Sequence, residues 1–351
     1  MNFTFTDDQR LMAEAARDIL LDVCTPEHWR AQMASGDARD AARWAALGEN
    51  GLFGVLTPED AGGLGLGPTD FVLIAEAAGY VALPEPLVDQ AGVALPLLAA
   101  AAPEHQHLAA AVEGALSLAV GHPVNPFVLD ADLADALVLA ADGEVHLVSR
   151  DAVRLTRQPS IDPFRRLFQV DWTPSRDTRL VEASVGAGLW DAALDRGALF
   201  AAAQCLGLAQ RSVDLAVAYA KERQQFGKPI GSYQAVKHLL ATAQVKIEFA
   251  RPVAHAASVA AAQGSLQSRA RVSHAKIVAA EAADLAARTA IQVHGAMGYS
   301  WEVDVHLFLK RALALTYAWG DPAFHQRRIQ ARVFEALVGA DQTFPDEAPH
   351  G

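Results

Sequence analysis

Residues 219–238 read YAKERQQFGKPIGSYQAVKH. The segment enters in the apolar spacing of a long helix, predicts a helix end at Phe226-Gly227, and turns through Pro229 and Gly231 into another helix. Arg223, Lys228 and Lys237 gather there. A guanidinium presents a planar fork matched to phosphate oxygens, the next helix start presents free N–H groups, and Phe226 offers an apolar face to a ring. The stretch suits a pyrophosphate-bearing cofactor. On composition alone it is also a solvated helix end, where basic residues are favoured, with a packed phenylalanine.

Downstream, residues 291–311 read IQVHGAMGYSWEVDVHLFLKR. Gly295, Ala296 and Gly298 interrupt a helix that resumes past an acidic cap region, and small residues admit close approach by a ligand or another backbone. Gln292 and His294 offer hydrogen bonds across that gap. The alternative is a helix corner that needs small residues only for packing. Both segments lie in Ala- and Leu-rich helical periodicity running from Ala192 to Leu337, with Gly264 breaking two long elements.

Upstream, from Ser117 to Trp172, the runs SLAV, ALVLAADGEVHLV and RLFQVDW are short and apolar or alternating, and Asp142-Gly143 is a hairpin signal. The first third reads as helices. Leu11, Ala15, Ile19 and Leu20 follow an acidic turn at Asp7 and Asp8, and the loop PEDAGGLGLGP (58–68) precedes a helix expected to be capped by Thr69 and Asp70. That loop fails GxGxxG and lacks a βαβ context, so a Rossmann dinucleotide fold loses its support. The expected fold is α+β and mainly α: a helical domain over 1–113, a reduced β domain over 114–190, a four-helix bundle over 191–340 and a flexible tail over 341–351.

The 351 residues carry 29 Lys plus Arg against 41 Asp plus Glu, a net charge of −12 that opposes non-specific attraction to nucleic acid or anionic lipid. Any anionic ligand must meet a local basic patch. The two cysteines, Cys24 and Cys205, sit in helix-like stretches without CxxC spacing, so neither a disulfide framework nor a zinc knuckle is indicated and a reducing interior fits. The start, MNFTFTDDQRLMAEAARD, is polar where a signal peptide would be basic and then apolar, and residues 91–102 are too short and too interrupted by Pro96 to span a bilayer. A soluble, cytoplasmic protein is expected. Among twelve histidines no HExxH occurs, and His274, His294 and His306 read as core or surface residues, so no metal is expected. There is no GxSxG nucleophile motif and no interleaving of basic and aromatic residues.

Taken together, Tyr219–Gln234 and Gln292–Tyr299 resemble the YAxERxQFGxPIxxFQ and QxxGGxGY elements of the acyl-CoA dehydrogenase family. Trp44, Leu47, Gly51 and the loop Pro58-Glu59-x-x-Gly62-Gly63-x-Gly65 resemble its N-terminal domain, so the resemblance covers nearly the whole chain. It implies FAD as cofactor and CoA thioesters as substrates. It also implies that Arg223, Gln225, Phe226, Gln234, Gln292, Gly295, Ala296 and Gly298 grip the ADP half of an FAD seated on a neighbouring subunit, which requires an oligomer. Ala296 stands where the family has a second glycine.

The family's reaction needs a carboxylate that removes the proton α to the thioester while flavin accepts the β hydride. Where members read Tyr-Glu-Gly-Thr, this chain has Ala318-Trp319-Gly320-Asp321, which puts Trp319 at the base position. Where other members place the Glu on the preceding helix, it has Gly197, with Asp195 two residues off. Asp321 serves as base only if the loop is re-aimed; otherwise it caps the helix before PAFHQRR. At the strand end where the family carries residues facing the flavin ring, the chain has Gly121-His122-Pro123, and its β segment reads several strands shorter.

The chain is therefore expected to resemble the small, β-type subunit of heteromeric bacterial acyl-CoA dehydrogenases, such as those of actinobacterial sterol side-chain breakdown. It would complete a partner's FAD site in a heterotetramer, with the partner supplying the Glu. The alternatives are a self-sufficient homo-oligomer using Asp321, or Asp195, as base, and a flavin-free scaffold. The acyl chain is left open among steroid, branched and straight-chain thioesters.

Overall fold

The first helices begin where short polar side chains close the opening turn. Thr6 and Gln9 bond reciprocally to start α1 (Asp7–Val23), Thr25 and His28 do so for α2 (Pro26–Ser35), and Asp40 accepts from Arg43 N–H at the start of α3 (Ala41–Glu49). The computed structural model describes residues 4–335, and the tail expected over 341–351 lies outside them. Cys24 stands just past α1 as its cap and not inside a helix; burial pushes its thiol up to about 12 and that of Cys205 to about 11, which makes both unreactive.

Helix α4 (Pro68–Tyr80) starts one residue before the expected cap. Pro68 has no N–H to lose at the first helical position, and Asp70 reaches back to accept from Gly67 N–H at 2.8 Å. A wide π-type turn, Val88–Ala94, then runs into α5 (Leu95–Ala101), followed by α6 (His107–Val112). These helices enclose a charged pair: the Arg43 guanidinium, 1% exposed, donates to both Glu85 oxygens at 2.5 and 2.8 Å and to Gln32 Oε1 at 2.6 Å.

The middle of the chain forms β1 (Leu118–Gly121), β2 (Val128–Leu129), β3 (Ala136–Ala141), β4 (Glu144–Ser149), β5 (Arg154–Gln158), β6 (Leu167–Asp171) and β7 (Arg179–Val181). One sheet has the order β1-β3-β4-β7, with β1 parallel to β3 and the rest antiparallel; the other is β2-β6-β5. The expected hairpin is present. Asp142 and Gly143, with φ of 47° and 85°, join β3 to β4 in the left-handed pair that a two-residue turn requires. Between the sheets lie Ala119, Leu137, Leu139, Val148 and Phe168.

The 40-residue α7 (Ala183–Glu222) is the axis of the molecule, about 60 Å long, and packs on α4, α8 (Gln234–Ala261) and α9 (Leu266–His294). It begins nine residues before the periodicity that starts at Ala192. Where α4 crosses α7 the backbones touch: a Cβ on Gly207 would lie 1.8 Å from Glu76 O. Gly264, at φ 60°, makes the expected break between α8 and α9, and α10 (Val305–Tyr317) and α11 (Pro322–Glu335) close the bundle. Small alanines line the seams of α7, α8 and α9, letting these long helices approach closely.

Candidate functional site

Helix α7 ends at Glu222, four residues before the expected end at Phe226-Gly227. Ile230 N–H bonds back to Arg223 O, and the chain folds into a tight hairpin of β8 (Gln224–Gln225) and β9 (Lys228–Pro229). Its tip is Phe226 and Gly227, at φ 53° and 80°. A left-handed φ is costly for a phenylalanine, and here the ring is 92% exposed, so no burial in this chain offsets it. Tyr233 braces the hairpin by donating its hydroxyl hydrogen to Gln225 O, and Lys228 Nζ lies 4.4 Å from the centre of the Tyr233 ring. Among the described residues the Arg223 guanidinium has no ion-pair partner.

The segment 291–299 folds against this hairpin's base. Tyr219 stacks on the His294 ring at 4.2 Å, and Ala216, Ala220, Ile230, Ile291, Val293 and Val305 form a shared apolar cluster. The helix breaks at Gly295 into a short 3-10 turn, Gly295–Tyr299. A Cβ on Gly298 would meet Ile291 O at 2.7 Å, so this residue serves close packing. His294 does not reach across the gap; it is buried and donates Nδ1–H to Ala290 O at 2.7 Å.

Two of the sequence's separate segments are thus brought to one end of the bundle. Arg223, Gln225, Phe226, Gln234, Gln292, Gly295 and Ala296 are all exposed, and Gly298 alone of the eight is buried. They form an exposed edge that carries the Arg223 cation and the bare Phe226 ring.

The second locus surrounds Trp319. Its backbone sits at φ 58° and is held by three hydrogen bonds: its N–H donates to Asn125 Oδ1 at 2.8 Å, its indole N–H to Asp89 Oδ1 at 3.2 Å, and its carbonyl accepts from His325 Nε2–H at 2.9 Å. The indole lies on the bare backbone of Gly197, where an added Cβ would come within 2.2 Å of ring carbon Cδ2. The two positions at which the resemblance places a base therefore meet in space. Neither Gly197, Trp319 nor Gly320 brings a carboxylate to the spot.

The carboxylates nearest in sequence are engaged elsewhere. Asp321 is exposed and caps α11, accepting from Phe324 N–H at 2.6 Å. Asp195 is buried against α11, accepting from Arg328 at 2.5 Å, with Arg269 at 4.0 Å; burial pushes its carboxyl up and the Arg328 charge opposes this. The His122 ring lies 5.8 Å from the indole, centre to centre, and His325 bonds the Trp319 carbonyl. His122 donates Nε2–H to Trp190 O and accepts from Val124 N–H at Nδ1, and burial pulls it down to about 4. Burial, reinforced by the Lys276 charge, pulls His325 down to about 3.

Beside Trp319 opens a cavity of 430 Å³ between α10 and the edge of the β2 sheet. Asp89 and Arg165 line it, and the sequence reading singled out neither. They lie 76 residues apart on the π-type turn and on the loop before β6, with no motif linking them; the one local signal was the doubled arginine in DPFRR (162–166). Among the described residues no group of three or more His, Cys, Asp or Glu is placed to hold a metal, and no helix is long and apolar enough to cross a membrane.

Comparison with known proteins matches residues 6–109 to the acyl-CoA dehydrogenase N-terminal domain and residues 185–334 to the acyl-CoA dehydrogenase C-terminal domain. Acyl-CoA dehydrogenase IpdE2 of Mycolicibacterium smegmatis is 35% identical over 334 residues, covering 94% of this chain and 100% of that protein. Among solved structures, a chain of the ChsE4-ChsE5 complex from Mycobacterium tuberculosis superposes with a TM-score of 0.83 at 24% identity, covering 96% of this chain and 100% of its own. A chain of the Tcur3481-Tcur3483 steroid ACAD (G363A variant) gives 0.80 at 25% identity, covering 94% and 98%. Helices, a two-sheet middle and a helical bundle in this order, with both terminal domains matched, leave one assignment: the chain belongs to the acyl-CoA dehydrogenase family, oxidoreductases that act on acyl-CoA thioesters.

Proposed function

We propose that this chain is the non-catalytic subunit of a heteromeric, FAD-dependent acyl-CoA dehydrogenase, completing the flavin site of a partner chain. The observation that carries the reading is the Trp319 indole packed onto Gly197, at the place where either family arrangement would need an acid. The rival, in which Asp321 is the base, requires that side chain to leave the cap of α11.

The exposed edge fits the ADP half of FAD. Arg223, without an ion-pair partner among the described residues, offers its fork to the pyrophosphate, Phe226 offers a ring face to the adenine, and Gln225, Gln234 and Gln292 offer amide groups. Such an exposed set cannot enclose a cofactor unaided, so it acts on one seated mainly in the neighbour. Bound FAD supplies the acceptor for the hydride leaving the β-carbon of the thioester. This chain's residues orient and anchor, and the partner's carboxylate takes the α-proton. The relatives support a heteromeric assembly by name, since ChsE4-ChsE5 is a complex and Tcur3481-Tcur3483 is called a steroid ACAD. A CoA thioester of a steroid or similarly bulky acid is the substrate class they suggest.

The test is co-purification with a family member that carries the Glu. The pair is expected to be yellow and active, to lose flavin with Arg223→Ala, and to lose it further with Gln292→Ala added. A yellow, active preparation of this chain alone overturns the proposal; flavin occupancy indifferent to both substitutions favours the scaffold reading.

A further inference from the structure

A half-open cavity of 270 Å³ lies at the seam between the first helices and the bundle, lined from α1, α2, α7 and the segment that leads into α10. Leu21, Trp29, Val81, Leu215, Val303 and Phe308 make most of its wall apolar. It shares no lining residue with the cavity beside Trp319, and none of the eight edge residues lines it.

Most of its polar groups are already engaged. Arg30 donates to both Asp304 oxygens at 3.0 and 3.1 Å and to Glu302 O, the Trp29 indole donates to Cys24 Sγ, and the Thr25 hydroxyl pairs with His28. Two groups keep spare capacity. His294 gives its Nδ1–H to Ala290 O, so Nε2 carries a lone pair; that atom has no hydrogen-bond partner among the described residues and is not sealed from solvent. Burial holds the ring below the ordinary histidine range, which keeps it neutral at pH 7. Arg211 forms no ion pair among the described residues: it lies over the Tyr80 ring at 5.2 Å and reaches the Tyr80 hydroxyl only at 3.5 Å. The nearby carboxylates do not cancel it, since Asp214 accepts from Tyr80 and Gln210, Asp304 is bonded to Arg30, and Glu302 is exposed to water.

These two groups set the chemistry of the ligand. A guanidinium without a carboxylate is matched by one, and a half-open wall leaves the incoming charge partly hydrated. A neutral imidazole nitrogen accepts, so the ligand must donate there; a hydroxyl does so without bringing a second charge against an apolar wall. The groups stand at opposite ends, because His294 stacks on Tyr219, and Tyr219 lies about 12 Å beyond Arg211 along α7. An apolar body of one ring or a short chain joins the ends and suits the volume.

We propose that this cavity binds a small apolar carboxylate with a hydroxyl at its far end, Arg211 receiving the carboxylate and His294 Nε2 the hydroxyl. The assignment goes beyond the flavin-completing role and does not depend on it.

Three matched probes read the site by ligand-observed NMR on the full chain: 3-(4-hydroxyphenyl)propionate, 3-phenylpropionate, which lacks the hydroxyl, and 4-propylphenol, which lacks the carboxylate. The first is expected to bind tightest, with each deletion weakening binding roughly tenfold. Arg211→Met should bring it to the level of 4-propylphenol and leave 4-propylphenol unchanged. His294→Phe, which keeps a ring against Tyr219, should make it equal to 3-phenylpropionate. Leu215→Trp, which fills the cavity and keeps both polar groups, should abolish binding of all three. On the parent protein alone, no binding by any probe or a ranking indifferent to the hydroxyl or to the carboxylate would overturn the assignment, whatever the stability of the variants. Binding that survives Leu215→Trp, or that Arg211→Met and His294→Phe weaken equally for every probe, would overturn it too.

Discussion

Replacing Gly197 by Ala tests whether the Trp319 indole is fixed against α7. The new Cβ would lie 2.2, 2.4 and 2.6 Å from three indole carbons, far inside ordinary contact, and the indole is held by hydrogen bonds at both its ring nitrogen and its backbone. Overpacking of this kind costs about 1–3 kcal/mol. Against it, Gly→Ala inside a helix gains about 1 kcal/mol from backbone propensity. The net expectation is a loss of up to about 2 kcal/mol, at most a few degrees in melting temperature for a chain of this size. In a Trp319→Leu background the clash is gone, so the same change should stabilise by up to about 1 kcal/mol. Differential scanning calorimetry of the four proteins reads the sign reversal. A Gly197→Ala protein as stable as, or more stable than, the parent in both backgrounds would show that the ring moves freely and would remove the physical basis for a closed base site.

Acid should weaken the fold through its buried histidines. His325 and His122, held down to about 3 and about 4, remain neutral when folded but charge near pH 6.5 when unfolded. Their contribution is complete above about pH 6.5 and is lost as pH falls toward 4, partly offset by Asp130, which burial pushes up to about 7 and which therefore favours the folded state in the same window. Melting temperature followed from pH 7.5 to 4.5 should fall, and His325→Asn should flatten that slope; an unchanged slope would contradict the neutral-histidine assignment. Arg43→Met should cost about 3–5 kcal/mol by stranding Glu85, and adding Glu85→Leu should recover most of it, as read by urea midpoints. Phe226→Ala should shift stability by no more than about 0.5 kcal/mol, since the ring is exposed, yet lower flavin retention in the assembled complex; a large loss of stability would mean that the ring packs within its own chain.

Local rules carried the reading where local physics decides. Asp142-Gly143 marked a turn because few residue pairs tolerate two left-handed conformations, and Gly264 marked a helix break for a similar reason. The helix ends at Glu222 and not at Phe226-Gly227 because the apolar and basic residues of a short hairpin mimic a helix C-terminus; the tip's strain becomes visible only with the backbone. Pro68 was passed over as a helix start in favour of the more familiar caps Thr69 and Asp70. The motif residues around Arg223 and Gln292 were legible by type and spacing, but their convergence on one exposed edge depends on how α7, α8 and α9 pack. The Trp319–Gly197 contact and the Arg165 cavity were illegible for the same reason: each joins residues more than 70 positions apart, and no period or spacing encodes such a meeting.

The central claim is that this chain completes a flavin site without deprotonating the thioester itself. It is tested most directly by mixing the isolated full-length chain with FAD and a panel of acyl-CoA thioesters under anaerobic conditions and following flavin absorbance. The account predicts no bleaching with the chain alone and rapid bleaching once the Glu-bearing partner is added; bleaching by this chain in the partner's absence would contradict it.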